Sequence, residues 1–320
     1  MVTSREHIYP LEYAIPDISI YKESNTGVDY IHRVDTGIPG PTVMINALTH
    51  GNEFCGAVAV DYLLKNKIKP SKGTLYLGFL NVDAFFNFNK DDPHANRYVD
   101  QDINRVWDIG LLDSDKDSSE LRRARIVRPI IDKLDYLLDI HSMLHPKTPM
   151  MVPGNLKKSI DLAKAVGYPD TITTDLGHKA GVRLRDYSFF GIPDDPRNCV
   201  TVECGQHWQK STVDTAMQMA FRFLLQFDLI TPDEAKKHIP FIDKVEQKVV
   251  HVTASASAQS TDFDFVEKFV GMEIIPGKGT IIGHDKGEPV RTPFDNAVLI
   301  MPTLPRFAGD TIVRFGQYES

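Results

Sequence analysis

Thr42-Val43-Met44-Ile45-Asn46-Ala47-Leu48 runs directly into Thr49-His50-Gly51-Asn52-Glu53, and how that junction is read decides the fold. The first seven residues form a short, mostly apolar run, the pattern of a strand buried on both faces. Residues 53–65 follow as an amphipathic helical stretch, so a His and a Glu stand at a strand-to-helix turn. In open α/β sheets, functional side chains gather at the carboxyl ends of strands, where several loops point into one crevice. His50 and Glu53 can offer a nitrogen and an oxygen to one borderline metal ion such as zinc. Alone, His-x-x-Glu arises by chance; its plain alternative is a solvated helix start with Glu53 at the positive end of the helix dipole.

Outward from this junction the pattern repeats. Apolar runs at 42–48, 74–81, 136–140, 149–152 and 199–203 predict central strands, and amphipathic stretches at 53–65, 120–134, 156–166 and 211–227 predict helices. The expected fold class is α/β, a mixed, mostly parallel central sheet flanked by helices. In the last helix Val213, Met217, Ala220, Phe221, Leu224 and Leu225 recur at helical spacing, which reads as core packing. Past residue 248 the texture changes to short strands with frequent turn signals, such as Pro276-Gly277-Lys278-Gly279 and Asp285-Lys286-Gly287. The chain is therefore expected to divide into a catalytic domain over residues 1–248 and a smaller β-rich C-terminal domain over 249–320.

Two further strands end in the same kind of residue. Tyr136-Leu137-Leu138-Asp139-Ile140 leads into His141-Ser142, and Val200-Thr201-Val202 leads into Glu203-Cys204-Gly205. An imidazole or carboxylate at the end of a buried strand is costly unless paired or metal-bound. Together the strand ends would supply His50, Glu53 and His141 as a metal-ligand set with one position open, and Glu203 as a general base. Asp139, two residues before His141, would share its face and orient it. The plain alternatives are a satisfied core histidine at 141 and a buried ion pair at 203.

Residues 87–117 are polar and long for a connection in a compact domain, as is 177–198. The first holds Arg97, Asn104 and Arg105, which could bind an anionic substrate or a developing oxyanion; the alternative is an exposed loop with Arg pairs to Asp100 or Asp102. His207 could line the same pocket. Pro146 makes a helical face shared by His141 and His145 a poor expectation, and His94, His178, His251 and His284 read as surface or loop residues.

Composition narrows the class. Of 320 residues, 42% are hydrophobic and 25% charged, ordinary globular proportions for a chain able to bury a large core. A net charge of −7 argues against a nucleic-acid backbone or an anionic membrane as the main partner. No apolar run approaches a membrane span, and Met1-Val2-Thr3-Ser4-Arg5-Glu6-His7 lacks the apolar core of a signal peptide, so a cytoplasmic protein is expected. Cys55, Cys199 and Cys204 form no Cys-x-x-Cys pair and read as small core residues. A homo-oligomer stays open.

In this order the motifs resemble the succinylglutamate desuccinylase/aspartoacylase family of zinc carboxypeptidase-like hydrolases. The resemblance rests on Thr49-His50-Gly51-Asn52-Glu53, Arg97 with Asp102-Ile103-Asn104-Arg105, Asp139-Ile140-His141 and Val202-Glu203-Cys204-Gly205. It extends to Lys278–Gly283 and Thr292–Pro302. It implies one Zn2+ per chain on His50, Glu53 and His141, Glu203 activating water, and Arg97, Asn104 and Arg105 holding a small N-acyl amino acid, with the C-terminal domain narrowing the cleft. Arg183, Arg185 and Arg197 all stand as counterparts of the family's further arginine before the base, and the family's late tyrosine has no clear counterpart near Pro305-Arg306-Phe307. The implied activity is a zinc-dependent deacylase acting on a C–N amide bond. The alternatives are a metallocarboxypeptidase acting on short peptides and a non-catalytic metal-binding scaffold. A serine hydrolase is disfavoured because Gly-x-Ser-x-Gly is absent.

Overall fold

The computed structural model describes residues 9–92, 95–175, 181–240 and 243–319. The expectations for residues 1–7, His94 and His178 lie outside these. Strands β1 (Ile31–Asp35), β2 (Thr42–Ala47), β3 (Thr74–Phe79), β4 (Tyr136–Met143), β5 (Met150–Val152), β6 (Thr171–Thr174) and β7 (Asn198–Gln206) build the first part of the sheet. Helices α1 (Phe54–Lys65), α2 (Val82–Phe86), α3 (Ile109–Leu112), α4 (Ser119–Ile131), α5 (Lys157–Val166), α6 (Lys210–Gln226) and α7 (Pro232–Lys236) connect and flank it. The predicted strands and helices all appear, with ends shifted by up to three residues. Strands β1 and β6 went unpredicted; each is short and lacks a long apolar run.

The C-terminal part adds β8 (Lys248–Ser257), β9 (Asp264–Phe265), β10 (Ile274–Ile275), β11 (Ile281–Asp285), β12 (Glu288–Arg291), β13 (Ala297–Ile300) and β14 (Thr311–Tyr318). Eleven strands form one sheet in the order β1-β3-β2-β4-β7-β5-β6-β8-β14-β13-β10, and β12-β11-β9 form a small second sheet. Pairings β3/β2/β4/β7 and β5/β6/β8 are parallel; β1/β3, β5/β7 and β8/β14/β13/β10 are antiparallel. The sheet is thus mixed and mostly parallel in its centre, with an antiparallel C-terminal region. Strand β8 is the hinge between them, hydrogen-bonded to β6 on one side and to β14 on the other.

Side-chain alternation splits the core into two layers. Val43, Ile45 and Ala47 of β2, Leu138 and Ile140 of β4, and Val200 and Val202 of β7 face α1, α5 and α6, where Phe54, Leu63, Leu162, Phe221 and Leu224 close the layer. The opposite positions Met44, Leu137 and Cys199 pack with Leu121, Ala124 and Val127 of α4 and with Trp107 and Tyr187. On that second face the apolar residues give way, toward the strands' carboxyl ends, to Asn46, Asp139, His141, Thr201 and Glu203. The period of two therefore carries the polar residues of three neighbouring strands into one place. A third core, including Phe263, Ile282, Leu299 and Phe315, lies in the C-terminal region. Cys55, Cys199 and Cys204 are buried free thiols, as core residues. Among the described residues no helix is long and apolar enough to cross a membrane.

Candidate active site

The chain leaves the carboxyl end of β2 through Leu48, whose positive φ of 58° is uncommon for a branched apolar residue and redirects the backbone into Thr49 and His50. Glu53 follows as the residue before α1, but its carboxylate caps nothing there. It is 2% exposed, which removes the solvated-helix-start alternative. Instead its Oε1 lies 2.8 Å from His50 Nδ1, and its Oε2 lies 3.0 Å from His141 Nδ1 and accepts from Ser142 N at 3.0 Å. His141 comes from β4, one strand over, and pairs in register with Glu203 of β7. Ligand atoms of His50, Glu53 and His141 all fall within 4.8 Å of one another.

The outer nitrogens show what the centre is built for. His50 Nε2 is 3.0 Å from Asp102 Oδ1, and His141 Nε2 is 2.7 Å from Asp139 Oδ2. Asp139 is itself fixed by Asn46 Nδ2 and Thr49 Oγ1, each at 2.7 Å. With each Nε2–H donating to a carboxylate, each ring turns its Nδ1 toward Glu53, a group that only accepts. Two imidazole nitrogens and a carboxylate facing one another require a positive charge between them. Burial opposes charging His141, yet Asp139 and Glu53 hold its pKa well above the usual histidine range; Glu53, despite burial, is held well below the usual carboxylate range by His50 and His141. A proton meets that requirement, and so does a divalent cation. The donor set of two imidazoles and one carboxylate with carboxylate-backed rings suits zinc.

Glu203 stands beside this centre. Its Oε2 is buried without a hydrogen-bond partner among the described residues. Burial, with Glu53 and Asp139 adding to it, pushes its pKa up to about 8 against the opposing pull of His141 and Arg97. A cation beside it would restore the charged form.

The loop ahead of α4 brings the arginines in. Arg97 reaches Glu53 Oε1 at 3.2 Å and Asp102 Oδ2 at 3.4 Å; Arg105 lies 3.9 Å from the same Asp102 oxygen. The Arg–Asp pairing expected of a plain loop is therefore present, but it is built around an aspartate that also holds His50. Asn104 spends its Oδ1 on Leu184 N at 2.9 Å, tying this loop to the later polar one. From that second loop Arg183 meets both oxygens of Asp175, at 2.9 and 3.1 Å, and Arg185 meets one at 2.5 Å, all buried. Burial, with the neighbouring cations Arg183, Arg97 and Arg314, lowers Arg105 to about 10 despite Asp102. Arg314, from β14, is held below the usual arginine range by burial and lies within electrostatic reach of Asp175, Arg183, Glu203 and Arg185. Arg197 is elsewhere, paired with Asp195 and stacked over Phe189 at 3.5 Å.

His207 does reach the neighbourhood, its Nδ1 2.8 Å from Ser142 Oγ, whereas His145 turns to Tyr9 at 3.0 Å. Inspection of the sequence missed the part of Asp102 in holding His50, the buried Asp175 and Arg314. Asp102 was visible only as a loop acid, and Arg314 lies far along the chain in a strand with no motif around it.

The family model for the succinylglutamate desuccinylase/aspartoacylase catalytic domain matches residues 39–224, more than half of the chain. Rat (Rattus norvegicus) aspartoacylase is 29% identical over 103 residues, a match covering 29% of this chain and 31% of the rat protein. The fold is similar to that of succinylglutamate desuccinylase from Vibrio parahaemolyticus, with a TM-score of 0.64, 14% identity and 91% and 87% of the two chains covered. Murine aminoacylase 3 superimposes with a TM-score of 0.61 at 17% identity, over 88% of this chain and 96% of that one.

Proposed function

The chain belongs to the succinylglutamate desuccinylase/aspartoacylase family, and on that premise we propose that it is a zinc-dependent amidohydrolase removing the acyl group from a small N-acyl amino acid or related amide. The observation that carries this reading is the convergence of His50, Glu53 and His141 within 4.8 Å, with the carboxyl group of Glu203 alongside. Zinc held by those three residues would polarise the scissile carbonyl and make water a better nucleophile near neutral pH.

The chain's own groups do the rest. Glu203 accepts a proton from the attacking water as the water oxygen bonds to the carbonyl carbon; when the C–N bond breaks, it passes that proton to the departing nitrogen, giving an acid and a free amine. The buried Oε2 supports this role, because among the described residues no donor is committed to it. Arg97 supplies a cation next to Glu53 for the developing oxyanion. Arg105, Arg183, Arg185 and Arg314 outnumber the aspartates set against them, Asp102, Asp175 and Asp186, a surplus suited to a substrate carboxylate. Arg314 belongs to the C-terminal strands, which supports a cleft narrowed by that region and a small substrate.

The test is amine release from N-acetyl, N-succinyl and N-formyl amino acids and matched short peptides, with zinc-loaded and chelator-treated protein. Chelator-sensitive turnover of a small acyl amino acid is expected. Turnover of peptides alone would replace this reading by a metallocarboxypeptidase, and zinc binding without any turnover would favour the scaffold.

A further inference from the structure

The loop bearing Arg97, Asp102, Asn104 and Arg105 is fastened by a residue that takes no part in the chemistry above. Glu120, in the first turn of α4, is 0% exposed. Its Oε1 accepts from Val99 N at 2.7 Å and Asn81 Nδ2 at 3.2 Å; its Oε2 accepts from Asp100 N at 3.1 Å and Gln101 N at 3.2 Å. An acid at a helix start usually serves the helix dipole from the surface. This one is buried, and its donors come from the loop and from Asn81 in the turn between β3 and α2. Two smaller clips reinforce it: Ser119 N donates to Asp100 Oδ2 at 2.7 Å, and Gln101 Nε2 donates to Ser118 Oγ at 2.6 Å. Three consecutive loop residues are thereby tied to one helix end. The next residue is Asp102, whose Oδ1 takes His50 Nε2 at 3.0 Å and Asn104 N at 2.8 Å and whose Oδ2 faces Arg97 and Arg105. At its other end the loop closes on the histidine turn itself, through Gly51 N to Arg97 O at 3.0 Å.

The geometry points to Glu120 as the positioning residue of the site: by holding Val99, Asp100 and Gln101 it fixes Asp102, and through Asp102 it sets the direction of the His50 ring and the two guanidinium groups. This rests on the site assignment above. Side-chain flexibility alone would let Asp102 pair with either arginine and release His50; the three backbone donors on Glu120 remove that freedom.

The experiment uses the full chain carrying Glu120→Gln, Glu120→Asp, Asp102→Asn, or Glu120→Gln with Asp102→Asn. Glutamine keeps the volume but turns an acceptor into a donor facing backbone N–H groups. Three quantities are read: affinity for zinc by chelator competition, amide hydrogen exchange across 95–106, and kcat and KM on an acyl amino acid. Glu120→Gln should weaken zinc binding about tenfold, as loss of an outer support of a ligand does, and speed exchange in 95–106 while β4 and β7 keep their protection. The double variant should bind zinc no more weakly than Asp102→Asn alone, because the two residues act in series. Additive losses, unchanged zinc affinity, or a uniform loss of protection across the chain would each overturn the proposal. Should Glu120→Gln not fold, Glu120→Asp, which keeps the charge but shortens the reach, carries the same comparison. Zinc affinity and exchange need no substrate, so an inactive wild type would count against the hydrolase reading while these readouts still decide on Glu120.

Discussion

Glu53 and Glu203 are neighbouring carboxylates with opposite demands placed on them, the first buried and the second half-buried with its Oε2 covered. Glu53 is held well below the usual carboxylate range by the two histidines it faces, whereas burial pushes Glu203 up to about 8, and its Oε2 has no donor among the described residues. Pairs of titratable groups driven apart in this way mark a division of labour, one group holding a cation and the other moving a proton. Replacing Glu203 by glutamine keeps the shape and removes the proton acceptor. Turnover should fall by about 10²- to 10⁴-fold with zinc stoichiometry unchanged, measured as kcat beside metal content. A variant that loses its metal together with its activity would instead make Glu203 part of the metal-holding set. Three of the four motif regions were legible in the sequence because each places a charged or imidazole side chain at the end of an apolar run; the fourth, with Arg97 and Arg105, stood out as a long polar connection. Asp102 was legible only as a neighbour of arginines, since a loop acid carries no local sign of the ring it holds across 52 positions.

At the scale of elements, the strand-to-helix turn between β2 and α1 has no spare room. A Cβ on Gly51 would lie 2.4 Å from Ala84 C, at the α2 turn, and 2.6 Å from Asn96 O, in the arginine loop. Both are backbone atoms that cannot swing away, so Gly51→Ala must displace either the histidine turn or its two neighbours. We expect a loss of about 1–3 kcal/mol, the usual cost of overpacking, read from denaturant unfolding, together with weaker zinc binding because His50 is the adjacent residue. A midpoint equal to the wild type would mean that the turn tolerates a shift and that the close packing is incidental. The helices and strands themselves follow from periodicity, and those with long apolar runs were visible. Strands β1 and β6 were not, because edge or short strands gain their order from the partner: β1 pairs along all five of its residues with β3.

For the whole molecule, the point of interest is the passage from residues 1–248 to the C-terminal strands. Strand β8 begins at Lys248, pairs with β6 and β14 at once, and shares an apolar cluster of Met143, Met150, Val152, Val250, Val252, Val298 and Ile300 across the two regions. Removing one side would leave a sheet edge and this cluster exposed to water. We therefore expect one cooperative thermal transition, with the fluorescence of Trp107 and Trp208 and the far-ultraviolet circular dichroism changing together. Two separated transitions would show instead that the C-terminal strands form an independent folding unit. The sequence by itself determined the layered α/β class, the strand ends that carry His50, Glu53, His141 and Glu203, and the β-rich texture of the C-terminal region, because these depend on periodicity and short-range spacing. Only the tertiary structure decided which charges come together: Asp102 on His50, Glu120 under the arginine loop, Arg183 and Arg185 on Asp175, and Arg314 within electrostatic reach of Glu203. Some of those partnerships span only 8 or 10 positions and others 19 or more, but all of them form only as the chain folds, and their energies arise from burial and distance, which no local pattern encodes.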